Sequence, residues 1–140
     1  MPTEFTIDPE HGVVISRGSG VFTHADYLDH MLRMEADPRF NPDFNEIVDC
    51  RMFSHLDLSG QQISDLAGRS AFGPGSRRAF VVASELQFGL ARMFATYRQM
   101  SGGQEVMVFR DMPSAISWLG LPARFDAYAT NESPADAEAA

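Results

Sequence analysis

Five consecutive apolar residues, Ala79-Phe80-Val81-Val82-Ala83, narrow the folds open to this chain more than any other segment. A strand with one wet face alternates apolar and polar residues. An unbroken run of this length reads instead as a strand covered on both faces, as in a parallel sheet between helices. The flanking segments agree. Ser84-Glu85-Leu86-Gln87 follows at once and is a Ser-x-x-Gln capping box, opening a helix to about Met100 that Gly102-Gly103 stops. Glu105 to Phe109 reads as a last strand. Asp111-Met112-Pro113 then opens a short final helix through Trp118 and Leu119, ended by Gly120.

Upstream, the apolar-rich residues 5–8 and 13–17 flank Asp8-Pro9-Glu10-His11-Gly12, a β-hairpin signal, and Gly18-Ser19-Gly20 breaks the second strand. Thr23 with Asp26 three residues on resembles a helix cap. From His24 to Ala36, Tyr27, Leu28, Met31 and Leu32 share one face, opposite Asp26, Asp29, His30 and Arg33. Asp37-Pro38 ends that helix. The stretch Glu46 to Gly60 reads as a strand (Ile47 to Phe53), a short loop, and a helix beginning at Ser59. Ser59-Gly60-Gln61-Gln62 is a second capping box, with Ile63, Leu66 and Ala67 inward. The order β-β-α-β-α-β-α-β-α predicts one α/β domain. Its mixed β-sheet has an N-terminal hairpin and parallel later strands, with helices packed on the sheet.

At 140 residues the chain fits a single domain, placed here at residues 1–125. Residues 126–140 hold Asp126, Glu132, Asp136 and Glu138 and no base, and are expected to form a disordered acidic tail. That tail carries half of the formal net charge of −8. An acidic chain without a basic run argues against binding nucleic acid or anionic membranes. Apolar runs fall far short of the ~20 residues needed to span a bilayer, so integral membrane association is not expected. The opening residues show no charged and apolar signal-peptide pattern, and with one cysteine, Cys50, a cytoplasmic protein is expected. All eleven bases are arginine, which excludes lysine Schiff-base chemistry, a Walker-type phosphate loop and a lysine general base.

Loops at the carboxyl ends of parallel strands line the usual binding crevice, so His24, His55, Ser84 and Asp111 are expected to gather at one rim, with Asp49 beside them. Ser84 and Asp111 are also expected helix caps. Asp49, on an apolar strand, needs a partner, and Arg51 two residues on is the nearest. Cys50 between them reads as a small buried hydrophobe. No Gly-x-Ser-x-Gly elbow is present, which argues against a hydrolase triad. His24 and His30 are six residues apart on a helix and do not share a face, and His55-Leu56-Asp57 supplies too few ligands, so neither a metal nor a cofactor is expected.

The element order resembles the STAS domain, and more closely the SpoIIAA-like group of small bacterial proteins related to anti-sigma-factor antagonists. Ile47-Val48-Asp49, Asp57-Leu58-Ser59-Gly60, Arg78-Ala79-Phe80-Val81-Val82, and Val108-Phe109-Arg110 before Ala115 and Trp118-Leu119 carry the resemblance, which spans residues 5 to 121. In antagonists of this family a Ser followed by Gly at that helix start is the phosphorylation site, which the resemblance places at Ser59. Leu58 stands where the family's Asp-Ser-Ser-Gly motif has its first Ser. The resemblance implies a non-enzymatic regulatory or ligand-binding module with a protein partner. Its alternative is a carrier of a small apolar or lipid-like ligand, given eight Met and eleven Phe. Ser59 also has a structural reading, as the N-cap of its helix.

Self-association is expected at the helix from Leu86 to Met100. Leu86, Leu90, Met93, Phe94 and Tyr97 follow the spacing of a face packed on the sheet. Phe88, Ala91 and Ala95 form a second apolar stripe beside Arg92, suited to a twofold homodimer.

Overall fold

Alternation along the central strands sends neighbouring residues to opposite faces of one sheet, and each face has its own cover. The computed structural model describes residues 3–103 and 105–125. Its elements are β1 (Thr3–Asp8), β2 (Val13–Gly18), β3 (Gly20–Thr23), α1 (His24–Ala36), β4 (Asn45–Asp49), β5 (Phe53–Asp57), α2 (Gly60–Ala67), β6 (Arg77–Val81), α3 (Glu85–Met100), β7 (Glu105–Phe109) and α4 (Met112–Trp118). Five strands form the main sheet in the order β1-β2-β4-β6-β7. β1 and β2 are the antiparallel hairpin; every other pair in that sheet is parallel. The mixed α/β architecture predicted from the element order is therefore present. The acidic segment 126–140 lies outside the described residues.

Ile47, Ala79 and Val81 point to the face covered by α4, where they meet Met112, Ala115 and Ile116. Val48, Phe80 and Val82 point the other way, into a larger cluster with Ile63 and Leu66 of α2 and Ala91, Phe94 and Ala95 of α3. The run Ala79-Phe80-Val81-Val82 is apolar throughout because both of its faces are buried. No described helix is long and apolar enough to cross a membrane.

The chain departs from the expected path after Asp49. The strand Ile47 to Phe53 does not exist as one element: β4 ends at Asp49, Cys50 to Met52 turn, and β5 begins at Phe53. Asp49 causes the break, since its Oδ1 accepts the Arg51 backbone N–H at 3.1 Å and folds the backbone back. β5 then pairs in parallel with β3 as a separate two-stranded sheet. Gly20 makes that possible. It sits at φ 74 with open space where a Cβ would stand, so the left-handed turn from β2 into β3, not crowding, calls for glycine.

Thr23 and Asp26 form a reciprocal capping box on α1, and Ser59 and Gln62 form one on α2. At α3 the box is half made. Ser84 accepts from the Gln87 N–H, but the Gln87 side chain turns inward, accepting from Ala83 N and donating to the carbonyls of Cys50 and Phe53. This anchor sets the rotation of α3. Gln87, Ala91, Phe94 and Ala95 face the core, while Leu86 and Met93, expected inside, are 64% and 37% exposed. Ala91 and Ala95 are therefore core residues of the domain and cannot form the expected homodimer stripe. Phe88 is half-buried, with the Arg110 guanidinium 4.1 Å above its ring, and Arg92 is exposed. On α1 the faces also differ from expectation: Leu32 is 62% exposed and His30 turns inward.

Candidate functional site

A charged residue stands second in each of two central strands, on the face that α1 to α3 cover. Glu46 of β4 and Arg78 of β6 are register partners, and both lie on the same side as Val48 and Phe80. A charge in such a place must be paired. Arg78 Nε donates to Glu46 Oε1 at 2.9 Å, and the two residues are 4% and 2% exposed. Ser16 of β2 donates to the second carboxylate oxygen of Glu46 at 2.6 Å.

That bond orders a longer chain of hydrogen bonds. Because Ser16 gives its hydrogen to Glu46, its Oγ accepts from His30 Nε2, 2.9 Å away. Burial lowers the His30 pKa below the ordinary histidine value, and Arg33 and Arg78 add to that while Glu46 opposes it. Neutral His30 then accepts at Nδ1 from Thr3 Oγ1 at 2.8 Å, and Thr3 accepts from Arg33 Nη2 at 2.7 Å. His30 thus donates to Ser16 instead of taking its proton, the reverse of an activated serine–histidine pair.

Beside this network lies a cavity of about 100 Å³ between the sheet and α1 to α3. Its polar lining includes Thr3, Ser16, His30, Glu46 and Arg78, and Phe22, Phe53, Ile63, Leu66, Phe80 and Phe94 supply much of the rest. The rings of Phe72, Phe80 and Phe94 surround the Arg78 guanidinium at 5.6, 5.4 and 5.3 Å. Burial weakens the hold of Arg78 on its proton, but Tyr27 and Glu46 more than reverse this, so its pKa is raised and it stays charged.

Of the residues expected at a common rim, Asp49 alone lines this cavity. Asp49 is 5% exposed and holds Arg51 through two bonds of 2.9 Å. His24 instead bonds Asp65 of α2 at 2.9 Å, and His55 lies exposed on β5. Ser84 and Asp111 are exposed N-caps of α3 and α4. Ser59 is the exposed N-cap of α2, next to Leu58, which lines the cavity. Cys50 sits in the turn after β4, and burial, with Asp49 and Glu46 adding, pushes its thiol up to about 12. It is unreactive at neutral pH.

Among the described residues, Asp8, Glu10 and His11 of the hairpin turn come close enough to share a metal ion. A cation is already there: Arg124 Nη2 lies 2.8 Å from His11 Nδ1 and 3.2 Å from Asp8 Oδ2.

Sequence reasoning passed over Glu46, Arg78, Ser16 and Thr3 as site residues, and weighed His30 only as a metal ligand. Their signal was present in part. Glu46 and Arg78 each stand directly before an apolar strand run, at positions that parallel pairing brings side by side.

No protein-family model matches the chain, and no curated protein matches it. Among solved structures it is similar to an uncharacterised protein of the DUF3478 family from Shewanella loihica PV-4, described as having a SpoIIAA-like fold. The two are 20% identical, and the alignment covers 84% of this chain and 91% of the other, with a TM-score of 0.56. The fold is SpoIIAA-like. At that identity the likeness speaks for the architecture alone, and the site must be read from its own side chains. The SpoIIAA-like architecture sets Glu46 and Arg78 beneath three helices, where the cavity opens.

Proposed function

We propose that this domain is a binding module that houses a small, largely apolar molecule between the sheet and α1 to α3. The observation that carries this reading is the cavity itself, about 100 Å³ kept open within the most aromatic part of the core. Protein interiors normally close such gaps. The size decides the ligand class. Sites for drug-sized ligands begin at roughly 300 Å³, whereas a cavity of about 150 Å³ accepts benzene or xenon. The space here fits the second scale, so the occupant is a compact molecule and not a long lipid chain. Xenon under pressure tests the reading through backbone NMR. Amides around Phe80, Phe94 and Leu66 should shift together and saturably. No shift there would overturn it.

A second reading rests on the exposure of Ser59. Its hydroxyl is accessible at the N-terminus of α2, where a phosphate would meet the positive end of the helix dipole. That supports a regulatory module with a protein partner. Phosphoproteomic analysis of the native protein checks it, and an unmodified Ser59 under all growth conditions would count against it.

A further inference from the structure

Arg78 carries more donors than its neighbours use. Nε serves Glu46 at 2.9 Å and Nη2 reaches the Tyr27 hydroxyl at a long 3.4 Å. Nη1 is buried and meets no acceptor among the described residues. The residue is 4% exposed and lines the cavity. An unmet charged donor in such surroundings is costly, and native interiors rarely keep one.

We propose that Arg78 Nη1 is the anchor for the carboxylate of a small aliphatic monocarboxylate whose apolar body fills the cavity. This rests on the cavity reading above and adds the chemistry of the ligand's head. The local charge balance favours an anion over a neutral acceptor. Among the described residues Glu46 is the one carboxylate bonded to Arg78, and it is also occupied by Ser16. A second guanidinium, Arg98, donates from Nη1 to the Ala67 carbonyl, and its Nε is buried without an acceptor among the described residues. Burial lowers the Arg98 pKa, and the charge of Arg78 adds to that, so the two cations feel one another. Nearby acids do not offset them: Asp29 is paired with Arg33, and Asp49 with Arg51. Arg78 thus has a second cation within electrostatic reach, against one carboxylate bonded to it among the described residues. A bound monoanion restores balance and gains a charge-assisted bond, whereas a carbonyl or a water satisfies the donor and leaves the imbalance.

Butyrate and its neutral isostere butyramide are the probes, titrated into the full chain and followed by ¹H–¹⁵N NMR, including the Arg78 Nε–H resonance. Butyrate should bind about tenfold more tightly than butyramide and shift the Arg78 resonance. Arg78→Lys keeps a cation beside Glu46 but withdraws the guanidinium fork, and it should remove that preference while xenon still shifts the cavity amides. Equal binding of the two probes with xenon bound overturns the anchor and leaves the cavity reading standing. Failure of xenon as well overturns both. Should Arg78→Lys not fold, the wild-type protein decides: an Arg78 resonance unmoved at saturating butyrate overturns the proposal.

Discussion

Glu46 shows what a single buried charge does to its surroundings. It accepts from Arg78 and Ser16, and through Ser16 it sets the tautomer of His30. Buried ion pairs contribute little net stability, because desolvating both groups offsets most of their attraction. Removing one partner is another matter. Glu46→Ala leaves the Arg78 guanidinium buried without its anion and should cost about 3–5 kcal/mol in urea unfolding. The double variant Glu46→Leu with Arg78→Met should recover most of that loss. A double variant as unstable as the single one would show that the pair contributes more than charge neutrality.

His30 supplies a pH signature at the same scale. Burial holds its folded-state pKa below the ordinary value of 6.5, with Arg33 and Arg78 lowering it further and Glu46 and Asp29 opposing. As pH falls, the unfolded chain takes up this proton before the folded one. The contribution is complete above about 6.5 and declines as pH drops toward the folded pKa. Between pH 7.5 and 5.5 the wild-type Tm should therefore fall more steeply than that of His30→Gln. Superimposable profiles would remove His30 from the account.

At the scale of elements, the five-stranded main sheet and the helices were legible, and the two strands of the small sheet, β3 and β5, were not. The bounds of α1 and β7 follow from capping residues and helix breakers, which act locally. β5 was hidden because its pairing partner β3 is remote in sequence, and because Asp49 turns the chain inside an apolar stretch. The face of α3 was misjudged for a related reason. Gln87 looks like a surface cap, yet its side chain is spent on the carbonyls of Cys50 and Phe53. Gln87→Leu should cost about 1–3 kcal/mol by leaving buried backbone groups unmet, and an unchanged Tm would show that the anchor is dispensable. Ser59 offers the opposite case, where a local signal suffices. Ser59→Ala should lose about 1 kcal/mol with the cap, and Ser59→Asp should stay near wild type, since Asp caps as well. The buried network was the least legible part. Thr3, Ser16, His30, Glu46 and Arg78 come from five elements, and strand register together with the packing of α1 brings them together.

For the whole molecule the cavity is a stability cost that the fold carries. The cavity is partly open to the surface, so at about 24 cal/mol per Å³ its roughly 100 Å³ forgoes at most about 2 kcal/mol, set against the 5–15 kcal/mol that holds a domain together. Ala91 tests whether that space is real. It lines the cavity from α3, is 8% exposed, and packs in the same cluster as Phe80 and Phe94. Ala91→Leu adds three carbons to a helical position where Leu is well tolerated. If the added side chain enters the cavity, stability should rise by about 0.5–2 kcal/mol, since buried apolar contacts replace void. The same substitution should abolish the xenon response at the amides around Phe80 and Phe94, because the space is no longer there. Overpacking a closed core would do the reverse, costing about 1–3 kcal/mol. Calorimetry and the xenon titration on one variant therefore separate the two cases. A more stable Ala91→Leu that no longer senses xenon identifies the cavity as a binding site kept open at the expense of stability. A destabilised variant would show that α3 already fills its place.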